Sequence, residues 1–139
     1  MTLRTSSEAE TIALGARLGK KLKPGSVVSL RGSLGVGKTV FAKGIAEALG
    51  ITEAIVSPTF TLIQEYEGTL DLYHMDLYRI DSSEEFELIG GDEYLYGRGV
   101  TLIEWSEKIQ DLLPQETIYV TISLDDDGTR LITIEGIAL

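Results

Sequence analysis

The stretch Gly32-Ser-Leu-Gly-Val-Gly-Lys-Thr39 constrains this chain more than any other, because it fits G-x-x-x-x-G-K-[ST] at every fixed position. Gly32 and Gly37 permit backbone angles that a side chain would forbid, so successive N–H groups can point into one concavity and hold phosphate oxygens. Lys38 adds a point charge near the β- and γ-phosphates, and the Thr39 hydroxyl is placed to ligate Mg²⁺. Ser33, Leu34, Gly35 and Val36 complete the expected nucleotide-binding loop, and Val40 follows it into the helix. The flanks agree with this reading. Ser26–Arg31 is a short β-rich apolar run, and over Thr39–Leu49 the residues Phe41, Ala42, Ile45, Ala46 and Leu49 recur at helical spacing up to Gly50. A strand, a glycine loop and a helix N-terminus aimed at phosphate are therefore expected in series.

At 139 residues the chain is expected to form one domain, 1–139, around a single core. It has no cysteine and one histidine, which excludes disulfides, thiolate metal sites and multi-histidine centres. No signal peptide or membrane-length apolar run is evident, so a cytoplasmic location without membrane contact is expected. The net charge of −10 is uneven: residues 1–50 carry 8 basic and 3 acidic side chains, whereas 51–139 carry 4 basic and 19 acidic ones. Autonomous nucleic-acid binders need a basic face to displace counterions. If nucleic acid is involved, a partner protein should hold it. The basic run Arg17, Lys20, Lys21, Lys23 reads first as favourable charge at a helix C-terminus.

Ser7-Glu-Ala-Glu10 is a capping-box pattern opening a helix through about Leu22, stopped by Pro24-Gly25. Beyond the loop helix, Thr59–Tyr66 and Thr69–Asp76 read as strands joined at Glu67-Gly68. A short acidic helix follows from Asp81 to near Gly90-Gly91. Val100–Glu104 is an apolar strand, Ser106–Leu113 a short helix, and Glu116–Leu124 with Thr129–Ile137 a hairpin around Asp125–Gly128, too polar at its turn to be central throughout. The expected class is α/β: a P-loop NTPase-like mixed sheet with a parallel centre and antiparallel hairpins, flanked by helices.

Phosphoryl transfer also needs carboxylates to hold Mg²⁺ and orient the nucleophile. In Val100-Thr-Leu-Ile-Glu104 four strand-forming residues end in an acid, and the carboxyl end of a strand beside such a loop is where ligands bind. The competing reading of Glu104 is a solvated acid at a strand-to-helix junction. Asp76, in His74-Met-Asp-Leu-Tyr-Arg79, taken alone reads as a turn aspartate, although its apolar setting is costly for a lone charge. His74 reads as packed or hydrogen-bonded rather than as a base, and Arg79 as a salt-bridge partner rather than a cis-acting arginine. Ser57-Pro-Thr-Phe-Thr61 falls where small nucleotide switches sense the γ-phosphate, and a simple turn explains it equally.

Together the loop, Ser57-Pro-Thr-Phe-Thr61, His74-Met-Asp-Leu-Tyr-Arg79 and Ile103-Glu-Trp105, with Glu10-Thr11 and Leu14-Gly15, resemble the TsaE (YjeE) family over nearly the whole length. The resemblance implies the ATPase component of the bacterial system that installs threonylcarbamoyl on the adenosine next to the tRNA anticodon. Such an ATPase binds the TsaB and TsaD proteins, resets their complex by hydrolysing ATP with Mg²⁺, and meets tRNA only through them. By the same resemblance Lys38, Asp76 and Glu104 are catalytic, Thr39 and Glu104 serve Mg²⁺, and Asp76 positions water or metal. The segment of Ser57, Pro58, Thr59, Phe60 and Thr61 would be the switch, Trp105 would lie near the site, and Thr11 and Arg130 would approach the nucleotide. Ser33 and Val40 depart from the family's usual acid and threonine. A small-molecule kinase on the same loop, or a non-catalytic nucleotide-binding scaffold, are the alternatives. After the loop helix, only Arg79, Arg98, Arg130 and Lys108 could supply a kinase's basic lid.

Overall fold

The computed structural model describes residues 1–33, 35–56, 58 and 62–139. Among them, seven strands make one sheet in the order β1-β7-β6-β2-β5-β4-β3. These are β1 Thr2–Thr5, β2 Val27–Arg31, β3 Ile63–Tyr66, β4 Leu72–Asp76, β5 Val100–Glu104, β6 Ile118–Leu124 and β7 Arg130–Glu135. The pairs β6–β2, β2–β5 and β5–β4 are parallel, whereas β1–β7, β7–β6 and β4–β3 are antiparallel. The expected parallel centre with antiparallel additions is therefore what the chain forms. β2 and β5 are the most deeply buried strands, as parallel strands covered on both faces must be.

Two helices cover one face, α1 Glu8–Gly19 and α2 Lys38–Ala48. Ser7 caps α1 by accepting from Glu10 N at 3.1 Å, and the Glu10 carboxylate accepts in turn from Ser6 N at 3.2 Å. Leu14, Leu18, Phe41 and Ile45 pack on Val28, Leu30, Leu102 and Val120. α1 and α2 meet almost backbone to backbone: a Cβ on Gly44 would lie 2.1 Å from the Ile12 carbonyl oxygen, and one on Gly15 2.3 Å from that of Phe41. The other face is covered by α3 Ser83–Leu88, α4 Gly91–Leu95 and a 3₁₀ helix, Ser106–Leu112. Phe86, Leu95 and Ile109 there pack on Val27, Met75 and Ile103. No helix among the described residues is long and apolar enough to cross a membrane.

Several boundaries differ from the expectations. β1 has no counterpart in the sequence reading. It pairs with β7, so the final hairpin is internal to the sheet and only its turn, closed by Gly128 N–H to the Asp125 carbonyl at 3.0 Å, is peripheral. α1 ends at Gly19, and Lys20–Leu22 continue in tighter turns. β4 begins at Leu72 rather than Thr69, because Thr69 N–H donates to the carbonyl of Leu49, the C-cap of α2, at 2.7 Å instead of joining the ladder. The Gly90-Gly91 stop ends α3 but also starts α4, and the helix after β5 is 3₁₀ with a break at Ile109. Of the strand expected over 59–66, residues 63–66 are observed, and 59–61 lie outside the described residues.

Candidate functional site

The alternation of strand residues builds the site. On β5, Val100 and Leu102 face α1 and α2, so Glu104 at the strand's end faces the same way. On β4, Leu72 faces that side, so His74 and Asp76 follow. The parallel register sets His74 beside Leu102 and Asp76 beside Glu104. Both carboxylates thus sit at the carboxyl ends of adjacent central strands, the crevice in which such sheets bind ligands. From the next strand, β2, the chain runs through the glycine loop into α2. Gly32, Gly35 and Gly37 have φ of 150°, 82° and 106°, angles that disfavour any side chain. Gly37 is the N-cap of α2, and Lys38 is its first residue.

A cavity of roughly 1020 Å³ opens here. It is lined by Gly32, Ser33, Gly35, Gly37, Lys38, Thr39, Val40, Asp76, Glu104, Trp105 and Arg130, together with Glu8, Tyr78, Arg79 and Glu107. Lys38 Nζ lies 3.3 Å from Glu104 Oε1, with only 13% and 8% of the two side chains exposed. The other Glu104 oxygen, Oε2, is 2.9 Å from Nε2 of the fully buried His74. Burial is the largest single influence on the Glu104 carboxyl and pushes it up. The His74 contact and the Lys38 ammonium together outweigh burial, so the group sits below its ordinary value and is ionised. Asp76 Oδ1 accepts from Tyr78 N at 3.0 Å, so this residue lines the cavity and also shapes the turn that follows it.

Arg130, at the start of β7, reaches the loop, its Nε donating to the Val36 carbonyl at 2.8 Å. Trp105, 41% exposed with a positive φ of 61°, tilts against Tyr78 with ring centroids 5.1 Å apart. The Thr39 hydroxyl and the Asp76 and Glu104 carboxylates are hard oxygens of the kind a metal could use, and all line one cavity, as do Glu8 and Glu107. Among the described residues no group of three or more His, Cys, Asp or Glu side chains is placed to hold a metal ion by itself. One or two carboxylates, with phosphate and water completing the shell, is the arrangement Mg²⁺ takes, so the residues present fit that ion.

The family described as "Threonylcarbamoyl adenosine biosynthesis protein TsaE" matches residues 5–132 of the chain. The chain belongs to the TsaE family. Relatives that bear the name tRNA threonylcarbamoyladenosine biosynthesis protein TsaE include those of Treponema pallidum and Bacillus subtilis. That of Treponema pallidum is 48% identical, the alignment covering 92% of this chain and 95% of the relative. That of Bacillus subtilis is 47% identical over 96% and 84%. The crystal structure of Bacillus subtilis YdiB superposes with a TM-score of 0.83 at 45% identity, covering 96% of this chain and 83% of that one.

The positions that the TsaE resemblance singled out fall into three groups. Lys38, Thr39, Asp76, Glu104, Trp105 and Arg130 are gathered on the cavity. Thr11 is not among the lining residues: it is fully buried, its hydroxyl bonded to Thr5 Oγ1 at 2.8 Å and to the Ser7 carbonyl at 3.1 Å. The neighbouring Glu8 lines the cavity instead. Val36 is buried in the core and offers its carbonyl to Arg130. Leu34 and, in the 57–61 segment, Ser57, Thr59, Phe60 and Thr61 lie outside the described residues. Pro58 is described and buried. Sequence reasoning missed Glu8, Tyr78 and Glu107 as lining residues. Arg79, read as a salt-bridge residue, also lines the cavity.

Proposed function

We propose that this chain is a Mg²⁺-dependent ATPase serving tRNA threonylcarbamoyladenosine biosynthesis, working with the TsaB and TsaD proteins, which hold the tRNA. The observation that carries the reading is the convergence of Lys38, Thr39, Asp76 and Glu104, from three separated segments, on one cavity at the head of α2. In this reading the glycine loop cradles the phosphates with its N–H groups, and the positive end of α2 adds to their stabilisation. Lys38 turns from Glu104 towards the β- and γ-phosphates. Thr39 and Glu104 would hold Mg²⁺, which would supply positive charge against the phosphates.

Asp76, one strand over, orients the water that adds to the γ-phosphorus as the bridging oxygen leaves with ADP. Arg130 pins the loop through the Val36 carbonyl. Ser33, in place of an acid, leaves the loop less negative where phosphate is held. The acidic surface of the second half supports leaving RNA contact to partners.

The test measures ATP binding and phosphate release by the purified chain, alone and with TsaB and TsaD, beside Asp76→Ala and Glu104→Ala. Slow Mg²⁺-dependent hydrolysis, altered by the partners and lost in both variants, is expected. ATP that neither bound nor affected assembly would refute the reading. Partner-independent phosphate transfer to a metabolite would indicate a kinase, and retained biological activity in both variants a scaffold.

A further inference from the structure

Glu104 has two partners of different character. Lys38 begins α2 and lines the cavity, where phosphate would compete for its ammonium. His74 does not line the cavity: it is fully buried in β4, in register between Gln64 of β3 and Leu102 of β5. An ionised carboxylate can only accept, so the 2.9 Å contact places a proton on His74 Nε2, which donates to Glu104 Oε2. The other ring nitrogen, Nδ1, is buried with no hydrogen-bond partner among the described residues. An unpartnered buried polar atom is destabilising, and an apolar side chain of similar size would avoid that loss. Stability therefore gives no reason for a histidine at this position, whereas the bond to Glu104 does.

We propose that His74 is a positioning residue, the fixed partner that keeps the Glu104 carboxylate aimed when Lys38 leaves it for phosphate. The proposal rests on the ATPase reading above and extends it to a side chain that touches neither nucleotide nor metal. Loss of such an outer hydrogen bond costs about 10–100-fold in metal affinity or activity. Gln carries its amide N–H about as far as Nε2 and can replace the donor. Leu cannot, and Asn stops short of Glu104.

The experiment uses the full chain with His74→Gln, His74→Leu and His74→Asn. It measures kcat and KM for ATP, the Mg²⁺ concentration for half-maximal tightening of ATP binding, and ATP affinity in excess EDTA. For Leu and Asn we expect kcat to fall about 10–100-fold and the Mg²⁺ requirement to rise about 10-fold, with EDTA affinity within about 2-fold of wild type. Gln should recover most of both. The proposal is overturned if Leu keeps wild-type values, if its EDTA affinity falls in step with kcat, or if Gln does no better than Asn. Should the Leu variant not fold, the Gln and Asn pair decides. If the wild-type chain itself shows no Mg²⁺-dependent ATP binding, the ATPase reading fails and takes this one with it. Wild-type behaviour in every variant would overturn only the role of His74.

Discussion

The Lys38 ammonium lies 3.3 Å from Glu104, so an incoming phosphate must draw it away from a carboxylate that is already ionised. At an effective dielectric of about 20, two unit charges at that distance attract by about 5 kcal/mol before other terms are counted. Most of this is offset, because phosphate replaces the carboxylate as the partner of the ammonium. A residual of about 1–2 kcal/mol remains as a barrier to Mg²⁺-free binding, increased by repulsion between Glu104 and the phosphates. Glu104→Gln removes both effects while its amide oxygen still accepts from His74.

Mg²⁺-free ATP or ADP should therefore bind the Gln variant about 5–30-fold more tightly than wild type, at 1.4 kcal/mol per decade. With Mg²⁺ the advantage should shrink or reverse if Glu104 holds the ion as proposed, and hydrolysis should fall away. Titration in excess EDTA reads this directly, by calorimetry or by the fluorescence of Trp105, the chain's single tryptophan. If the Gln variant binds no tighter than wild type in EDTA, Lys38 is not held back by Glu104, and the exchange of partners is wrong.

Gly44→Ala would gain about 1 kcal/mol of helix propensity in isolation. Here the new Cβ meets the Ile12 carbonyl at 2.1 Å and Ala16 N at 2.8 Å, backbone atoms that cannot swing aside. Overpacking of about 3 kcal/mol should prevail and leave the variant about 2 kcal/mol less stable in urea, with Tm lower by about 6 °C. An unchanged or higher Tm would contradict the close helix contact. Because the folded-state value of Glu104 is depressed, its stabilising contribution is complete above the ordinary carboxyl value and is lost as pH falls through the folded one. The stability gap between wild type and Glu104→Gln should accordingly hold from pH 7 down to the ordinary carboxyl value and narrow below it, and a gap that stayed constant in urea titrations through that lower range would argue against the depression. Gly37→Ala places a Cβ at φ 106° and 2.8 Å from Arg130 Nε, an atom pinned by the Val36 carbonyl. Strain of about 1–2 kcal/mol and a loss of ATP affinity of about 10-fold or more are expected, read from Tm and the same titration.

The strand, loop and helix of residues 26–49 were legible because three independent signals agree there: glycine positions, helical period and an apolar strand. β1 left no such signal. In Thr2-Leu-Arg-Thr5 only Leu3 is apolar, and the strand exists because β7 offers it backbone partners. The restart at Gly91 was hidden because a glycine pair reads as a stop. What it supplies here is room, since a Cβ at Gly91 would lie 2.4 Å from the Phe86 ring. Asp76 and Glu104 were legible as acids at strand ends, but their pairing is a property of register, which one sequence does not display. Setting 72-74-76 beside 100-102-104 in parallel would have brought His74 to Glu104, and nothing local in the sequence required that pairing. Thr11 was placed by resemblance, and the hydroxyl of Thr5, in the strand that left no signal, is what holds it in the interior.

The mixed sheet has a consequence for the site that neither a purely parallel nor a purely antiparallel one would give. The parallel strands β2, β5 and β4 bring three carboxyl ends together and so deliver the loop, Glu104 and Asp76 to one edge. β6 runs parallel to β2 and ends at that same edge, and β7 returns antiparallel from it. The first residue of β7 therefore starts beside the loop, and that residue is Arg130, in register with Leu124 and bonded to Val36. Across the sheet, the close approach at Gly15 and Gly44 fixes α2 against α1, and with it the height at which Lys38 enters the cavity. A shift of α2 by the amount a methyl group at Gly44 would demand moves Lys38 relative to a carboxylate held by β5 and His74. The distance between lysine and carboxylate is thus set by helix packing on one side and strand register on the other, and substitutions remote from phosphate should act through it.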